Sequence, residues 1–212
     1  MNTDALIEAL ARDTRPLSAR SIERRLGVGI AAGGAAALLL LLAFLGTRPD
    51  LQAAAAKPMF WGKAAYPLAL GAIGLVLAAQ LARPDIGRLR WIWLLPLPFM
   101  PLMALAGAEL IRASPAARAE ILFDPAWKCL PLIAMLAAPV FAGLVWSFRR
   151  LAPTQLRAAG AALGLTAGGV GAAVYCLYCQ QISPAYLLTR YTAAIALVSA
   201  AGALLGPRLL RW

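Results

Sequence analysis

The chain of 212 residues has no histidine, three cysteines, nine acidic residues and a charged fraction of 14%. Without histidine, the commonest general base and the usual nitrogen ligand for metals are missing. Ser/His/Asp and Cys/His catalysis are excluded outright. The scarcity of charge, set beside a hydrophobic fraction of 62%, excludes an ordinary cytosolic enzyme, which is about 45–50% apolar and about a quarter charged. It also excludes a disordered chain, which is poor in apolar residues. The net charge of +11 would mark nucleic-acid binding only if the basic side chains clustered on one face. Here they punctuate apolar runs, so the sequence predicts no direct nucleic-acid partner and a lipid bilayer as the solvent.

About 20 residues of helix cross the hydrocarbon core, and six runs qualify: 27–46, 64–82, 91–108, 130–148, 158–178 and 191–206. The last is short, and it can extend backwards through Leu187 and Leu188 if Arg190 snorkels to the headgroups. The expected fold is therefore all-α, a polytopic membrane protein of six transmembrane helices. Residues 1–26 form a cytoplasmic partner-binding segment and residues 27–212 the membrane domain. The polar lead and first apolar run both exceed the usual dimensions of a signal peptide. With the N-terminus cytoplasmic, 13 of the 20 Lys and Arg residues fall on the inner side and seven on the outer, so both termini are expected inside. Trp61, Trp91, Trp93, Trp127 and Trp146 stand at or near span ends, where amphipathic rings favour the headgroup region.

Within the runs, ionisable residues are nearly missing, which argues against coupled transport. Glu109 falls just past the third run, and Gln80 and Thr166 are the main polar residues elsewhere. Gly160, Gly164 and Gly168 repeat at spacing four, as do Gly29 and Gly33; such stripes let helices approach closely. Tight packing within one chain is the expected use, and a homodimer face is the alternative. Pro96, Pro98 and Pro101 predict a kinked or irregular third span.

Cys129 precedes the fourth run and Cys179 follows the fifth. At about 1.5 Å per residue along two antiparallel helices, both thiols come to nearly the same depth at the outer face. Cys176 and Cys179 form a CxxC one helical turn apart, a redox or soft-metal signal where solvent or thiols can reach it. Cys129, Cys176 and Cys179 could hold Zn²⁺ or Cd²⁺ with a fourth ligand, water or Asp124. Cysteine as a small apolar helix residue is the plain alternative. The CxxC also allows a membrane thiol oxidoreductase that passes electrons to a quinone, although a second, loop-borne cysteine pair is lacking.

The N-terminal segment is amphipathic. Leu6, Ile7 and Leu10 make an apolar stripe, Asn2 or Thr3 can cap the helix, and Asp4 and Glu8 favour its positive end. Pro16 ends it, and a second helical stretch from Ser18 runs into the first span. A helix this short orders on a partner rather than alone, and its balanced charge suits a protein better than anionic lipid.

These features together resemble the NrsF-type anti-sigma factors, the "negative regulator of sigma F" family of six-span bacterial inner-membrane proteins. At the N-terminus the matching stretch is Thr3-Asp4-Ala5-Leu6-Ile7-Glu8-Ala9-Leu10-Ala11 with Pro16. In the second half it is Cys129-Leu130-Pro131, Arg150-Leu151-Ala152-Pro153, the glycine run 160–171, Tyr175-x-x-Tyr178-Cys179 and Ser183-Pro184-Ala185-Tyr186. The resemblance implies a regulator without a cofactor, not an enzyme, in the bacterial inner membrane. Its cytoplasmic N-terminus would hold an extracytoplasmic-function sigma factor through Leu6, Ile7 and Leu10, in the stretch that Asp4 opens and Pro16 closes. Cys129 and Cys179 would be the pair that senses metal or oxidant. Tyr178 and Arg190-Tyr191 depart from the family's His and Trp-Tyr, and Cys176 is an addition.

Overall fold

The structure is a computed structural model that describes residues 3, 19–82, 90–115, 118, 128–149, 151 and 153–211. The N-terminal stripe of Leu6, Ile7 and Leu10, with Asp4 and Pro16, lies outside the described residues, as do Asp124 and Trp127. Among the described residues the elements are helical throughout: α1 (Ala19–Phe44), α2 (Leu51–Ala55), α3 (Pro58–Leu81), a 3₁₀ turn (Arg90–Leu94), α4 (Phe99–Arg112), α5 (Cys129–Phe148), α6 (Leu156–Tyr175), α7 (Pro184–Tyr186), a π-helical turn (Leu187–Tyr191) and α8 (Thr192–Leu209). Six helical stretches are long and apolar enough to cross a membrane: Ile22–Phe44, Pro58–Leu81, Trp91–Arg112, Cys129–Phe148, Leu156–Tyr175 and Pro184–Leu209.

Local chemistry explains where these differ from the runs of the sequence. Pro58 opens α3 at its first turn, where the missing N–H costs nothing. The second span thus begins six residues before the expected 64 and takes Lys63 into the helix. The third span is irregular as expected: the 3₁₀ turn breaks at Pro96 and Pro98, and regular helix resumes at Phe99 and runs to Arg112, so Glu109 belongs to it. The fifth span ends at Tyr175, three residues short of the expected end, which puts the CxxC beyond the helix rather than on one of its faces. The last span does extend backwards, through the π-helical turn to Pro184, where the Ser183 side chain accepts a hydrogen bond from the Tyr186 N–H, an N-cap. The helical stretch expected from Ser18 is continuous with the first span, since α1 starts at Ala19.

Helix α6 is the hub, and α3, α5 and α8 all pack on it, with α1 laid against α5. Its glycines set the approach. A Cβ at Gly164 would come within 2.6 Å of the Val198 carbonyl oxygen on α8, one at Gly171 within 2.8 Å of the Ala137 nitrogen on α5, and one at Gly169 within 2.5 Å of the Pro67 carbonyl oxygen on α3. Gly160 likewise meets the backbone at Gly202 and Gly206, while Gly29 and Gly33 on α1 meet Gly143 and Pro139–Val140 on α5. Lipid tails are as apolar as leucine, so association here rests on close van der Waals packing, which small residues allow. The glycine stripes are thus occupied within the chain.

Two cores fill the bundle, one near each end. Ile22 and Leu26 at the start of α1 join Phe148, Leu151 and Leu210 in one. Leu41 near the end of α1 joins Tyr66, Ile133, Tyr175 and all three cysteines in the other. The beginning of the first span and the end of the last therefore share one end of the molecule, and the thiols lie at the opposite end. Trp61, Trp91, Trp93 and Trp146 are exposed on the outside of the bundle, in keeping with a belt of interfacial rings.

Candidate functional site

The thiol end is built by four helices and two turns. The helix end at Tyr175 leads into a tight turn in which the Tyr178 and Cys179 N–H groups both bond the Tyr175 carbonyl, at 3.0 Å. Cys179 thereby folds back towards the first residue of α5, Cys129. The two thiols belong to one buried cluster and are close enough to shift each other's proton affinity, with 4% exposure at Cys129 and 6% at Cys179. Both thiols lie in the same cluster at one end of the bundle, and no disulfide joins them.

Two tyrosines close over Cys129. Its sulfur is 3.2 Å from the Tyr175 hydroxyl and in hydrogen-bond contact with the Tyr186 hydroxyl. Tyr186 sits at the start of the last span, and that start is held by the third: Glu109 accepts hydrogen bonds from the Ser183 hydroxyl at 2.8 Å and from the Ala185 N–H at 3.0 Å. A carboxylate at a helix N-terminus satisfies donors with no intrahelical partner. Glu109, which the sequence leaves just outside its span, is thus a structural tie from α4 to the thiol end.

Sequence reasoning missed Lys63, which it assigned to an outer loop. The side chain is 1% exposed. Its ammonium donates to the Cys179 carbonyl at 2.8 Å and the Gln181 carbonyl at 2.6 Å, and it lies 5.5 Å from the centre of the Tyr191 ring, within cation–π range. The missed signal was Pro58: a proline followed by an uninterrupted apolar stretch marks a helix start, which puts Lys63 one turn and a half inside.

The loop after α1 completes the site. The Arg48 N–H bonds the Leu177 carbonyl at 3.0 Å, and its guanidinium forks onto Asp50 at 2.7 and 2.6 Å, the bidentate geometry that suits carboxylates. Arg48 also adds positive potential at Cys179. The Cys179 thiol is held below the ordinary thiol range, down to about 5, first by the hydrogen bond with Cys129 and, against burial, by the Lys63 charge, the Gln181 N–H and Tyr191.

Cys176 faces elsewhere. Its sulfur lies 3.3 Å from the Ala172 carbonyl oxygen, 3.7 Å from that of Lys63 and 3.8 Å from the Tyr191 hydroxyl. The CxxC thus stands at a helix C-terminus, not at the N-terminus whose positive end activates redox thiols. Among the described residues no group of three Cys, Asp or Glu side chains is arranged to hold a metal ion; the third thiol of the expected set is turned towards backbone carbonyls.

The family model "Negative regulator of sigma F" matches residues 10–212 of this chain. The chain belongs to the NrsF family. Two curated relatives align with all of it and over their own full lengths: the "Probable anti-sigma-F factor NrsF" of Azospira oryzae at 40% identity and the "Anti-sigma-F factor NrsF" of Caulobacter vibrioides at 38%. No solved structure matches. The NrsF match covers every element that builds the thiol end, from the Arg48 loop to the last span. It begins at Leu10 and so includes only the end of the N-terminal stripe.

Proposed function

We propose that this protein is a membrane anti-sigma factor of the bacterial inner membrane, with both termini cytoplasmic, that sequesters an extracytoplasmic-function sigma factor and releases it on a thiol signal from the outer side. The full-length similarity to two proteins named as anti-sigma-F factors carries this reading. The excess of Lys and Arg on the terminal side supports the orientation. The N-terminal stripe Leu6, Ile7 and Leu10 is the sigma-binding element, and Cys129 with Cys179 is the sensing pair, because both thiols lie in one buried cluster at the end of the bundle away from the described ends of the first and last spans.

A signal at one end changes affinity at the other only if the bundle has two states that the signal stabilises unequally. Linking Cys129 to Cys179 would displace Tyr186 from the Cys129 sulfur, and Tyr186 lies on the span that returns to the terminal end. A pull-down of the cognate sigma factor by the full-length protein in detergent tests the contact. Leu6→Asp with Leu10→Asp should weaken it roughly 100-fold or more, since burying each leucine is worth about 1.5–3 kcal/mol; undiminished capture removes the stripe as the binding element. Cys129→Ser with Cys179→Ser should abolish induction of a sigma-dependent reporter by metal or oxidant, and normal induction in that strain would refute thiol sensing.

A further inference from the structure

Exposure does not distinguish Cys129 from Cys179, since both are almost fully buried. Their surroundings do. Around Cys129 stand neutral groups: the Tyr175 and Tyr186 hydroxyls and the Cys179 thiol. The turn that carries Cys179 is held by two basic residues: Lys63 from α3 donates to the Cys179 and Gln181 carbonyls, and the Arg48 N–H from the loop after α1 bonds the Leu177 carbonyl; the Lys63 charge, the Gln181 N–H, Tyr191 and Cys129 all favour the Cys179 thiolate. The Tyr175 hydroxyl bonds Cys129.

Lys63 itself needs a counter-charge. A buried ammonium is costly unless it is paired, and its two hydrogen bonds go to neutral carbonyls. Among the described residues no carboxylate bonds it, and Asp50, on the loop after α1, is paired with Arg48. The groups beside it that can carry a negative charge, among the described residues, are the Tyr191 hydroxyl and the Cys176 and Cys179 thiols, and of these Cys179 is the one whose thiolate is favoured. Both carbonyls that Lys63 holds belong to residues 179 and 181, the turn that carries Cys179, so one side chain fixes the position of that sulfur and supplies the positive charge next to it.

We propose that Lys63 is the positioning residue that makes Cys179 the thiol attacked first by an oxidant, with Cys129 as its resolving partner. The Cys179 thiolate attacks one oxygen of a hydroperoxide; the S–O bond forms, the O–O bond breaks and the alkoxide leaves, taking a proton as the alcohol. The Cys129 sulfur then attacks the Cys179 sulfenic acid; the S–S bond forms, the S–O bond breaks and hydroxide leaves with the Cys129 proton as water. Two thiols are oxidised to a disulfide, and one hydroperoxide is reduced to an alcohol and water. The inference rests on the sensing role given to this pair and adds the order of events and the residue that sets it.

The test uses purified full-length protein in lipid nanodiscs, with each cysteine's alkylation by iodoacetamide followed by mass spectrometry between about pH 4.5 and 9.5. Cys179 should react with a midpoint below about pH 7 and ahead of Cys129; Lys63→Met should raise that midpoint by about one unit or more, and Lys63→Arg should keep it within about half a unit of wild type. A Cys129 that reacts first, a Cys179 that reacts at no pH, or an unmoved midpoint in Lys63→Met each overturns the proposal. If Lys63→Met does not elute as a folded species, trapping with dimedone after hydroperoxide treatment decides: Cys129→Ser should accumulate the adduct on Cys179, and Cys179→Ser should not accumulate it on Cys129. The reverse pattern overturns the assignment. No sigma factor is present in these measurements, so Cys179 reacting as stated while oxidant-treated cells keep sigma bound would defeat the sensing function alone.

Discussion

The Cys176 thiol faces the Lys63 carbonyl, at 3.7 Å, because Pro67, four residues on, has no N–H to give that carbonyl. Pro67 lies inside α3, and a proline removes the i to i−4 hydrogen bond of a helix. The third thiol thus faces a backbone acceptor that the helix leaves open. Cys176→Ser, which keeps a donor, should leave thermal stability in detergent close to wild type. Cys176→Ala should lower it by about 1–2 kcal/mol, because the buried carbonyl then has no donor. Reporter induction should survive Cys176→Ser; its loss would instead place Cys176 among the sensing thiols.

The helix interfaces predict opposite outcomes for glycines of similar sequence context. A side chain at Gly164 would strike the Val198 backbone, whereas a Cβ at Gly27 meets nothing within 4 Å. Gly164→Leu should cost at least about 1–3 kcal/mol through overpacking, read as a drop in the thermal midpoint of the solubilised protein. Gly27→Ala should be neutral or stabilise by up to about 1 kcal/mol through helix propensity. Equal effects at the two positions would contradict the packing of α6 on α8.

Glu109 links the third span to the start of the last. Glu109→Ala strands the Ser183 hydroxyl and the Ala185 N–H, and the cost should be about 1–3 kcal/mol. Glu109→Gln keeps an acceptor oxygen and should retain most of the stability. Thermal unfolding followed by size-exclusion recovery separates the two variants, and the same stability in both would mean that the tie is not made.

The thiol end also carries a pH dependence whose direction is set. Cys179 is held below the ordinary thiol value, chiefly by its hydrogen bond with Cys129, so folding favours its deprotonated form. The stabilisation from this group is fully present above the unfolded-state value, near 9.0, and is lost as pH falls through the folded value, about 5. The thermal midpoint of wild type relative to Cys179→Ser should therefore rise from about pH 5 towards pH 9. A difference that stays flat over that range, or falls with rising pH, would contradict the assignment.

Several parts of this arrangement were legible in the residues themselves. The apolar runs located all six spans, the glycine spacing located the packing faces, and the three prolines located the break in the third span. Helix arithmetic brought Cys129 and Cys179 to the same end of the bundle. The errors were at helix ends, where a few residues change the chemistry: starting the second span at 64 instead of Pro58 left Lys63 in a loop, and carrying the fifth to 178 instead of Tyr175 kept Cys176 and Cys179 on one helix face.

By itself the sequence determined how many stretches are long and apolar enough to cross a membrane and which faces could pack, because hydropathy and glycine spacing are properties of a single segment. Only the tertiary structure decided that Lys63 lies beside Cys179, that Cys176 answers the carbonyl opened by Pro67, and that two tyrosines close on Cys129. Those contacts join residues up to 116 positions apart. They depend on how α3, α5 and the last span are rotated and shifted along α6. That rotation is set by the glycine backbone contacts between helices, and no local pattern of residues encodes it.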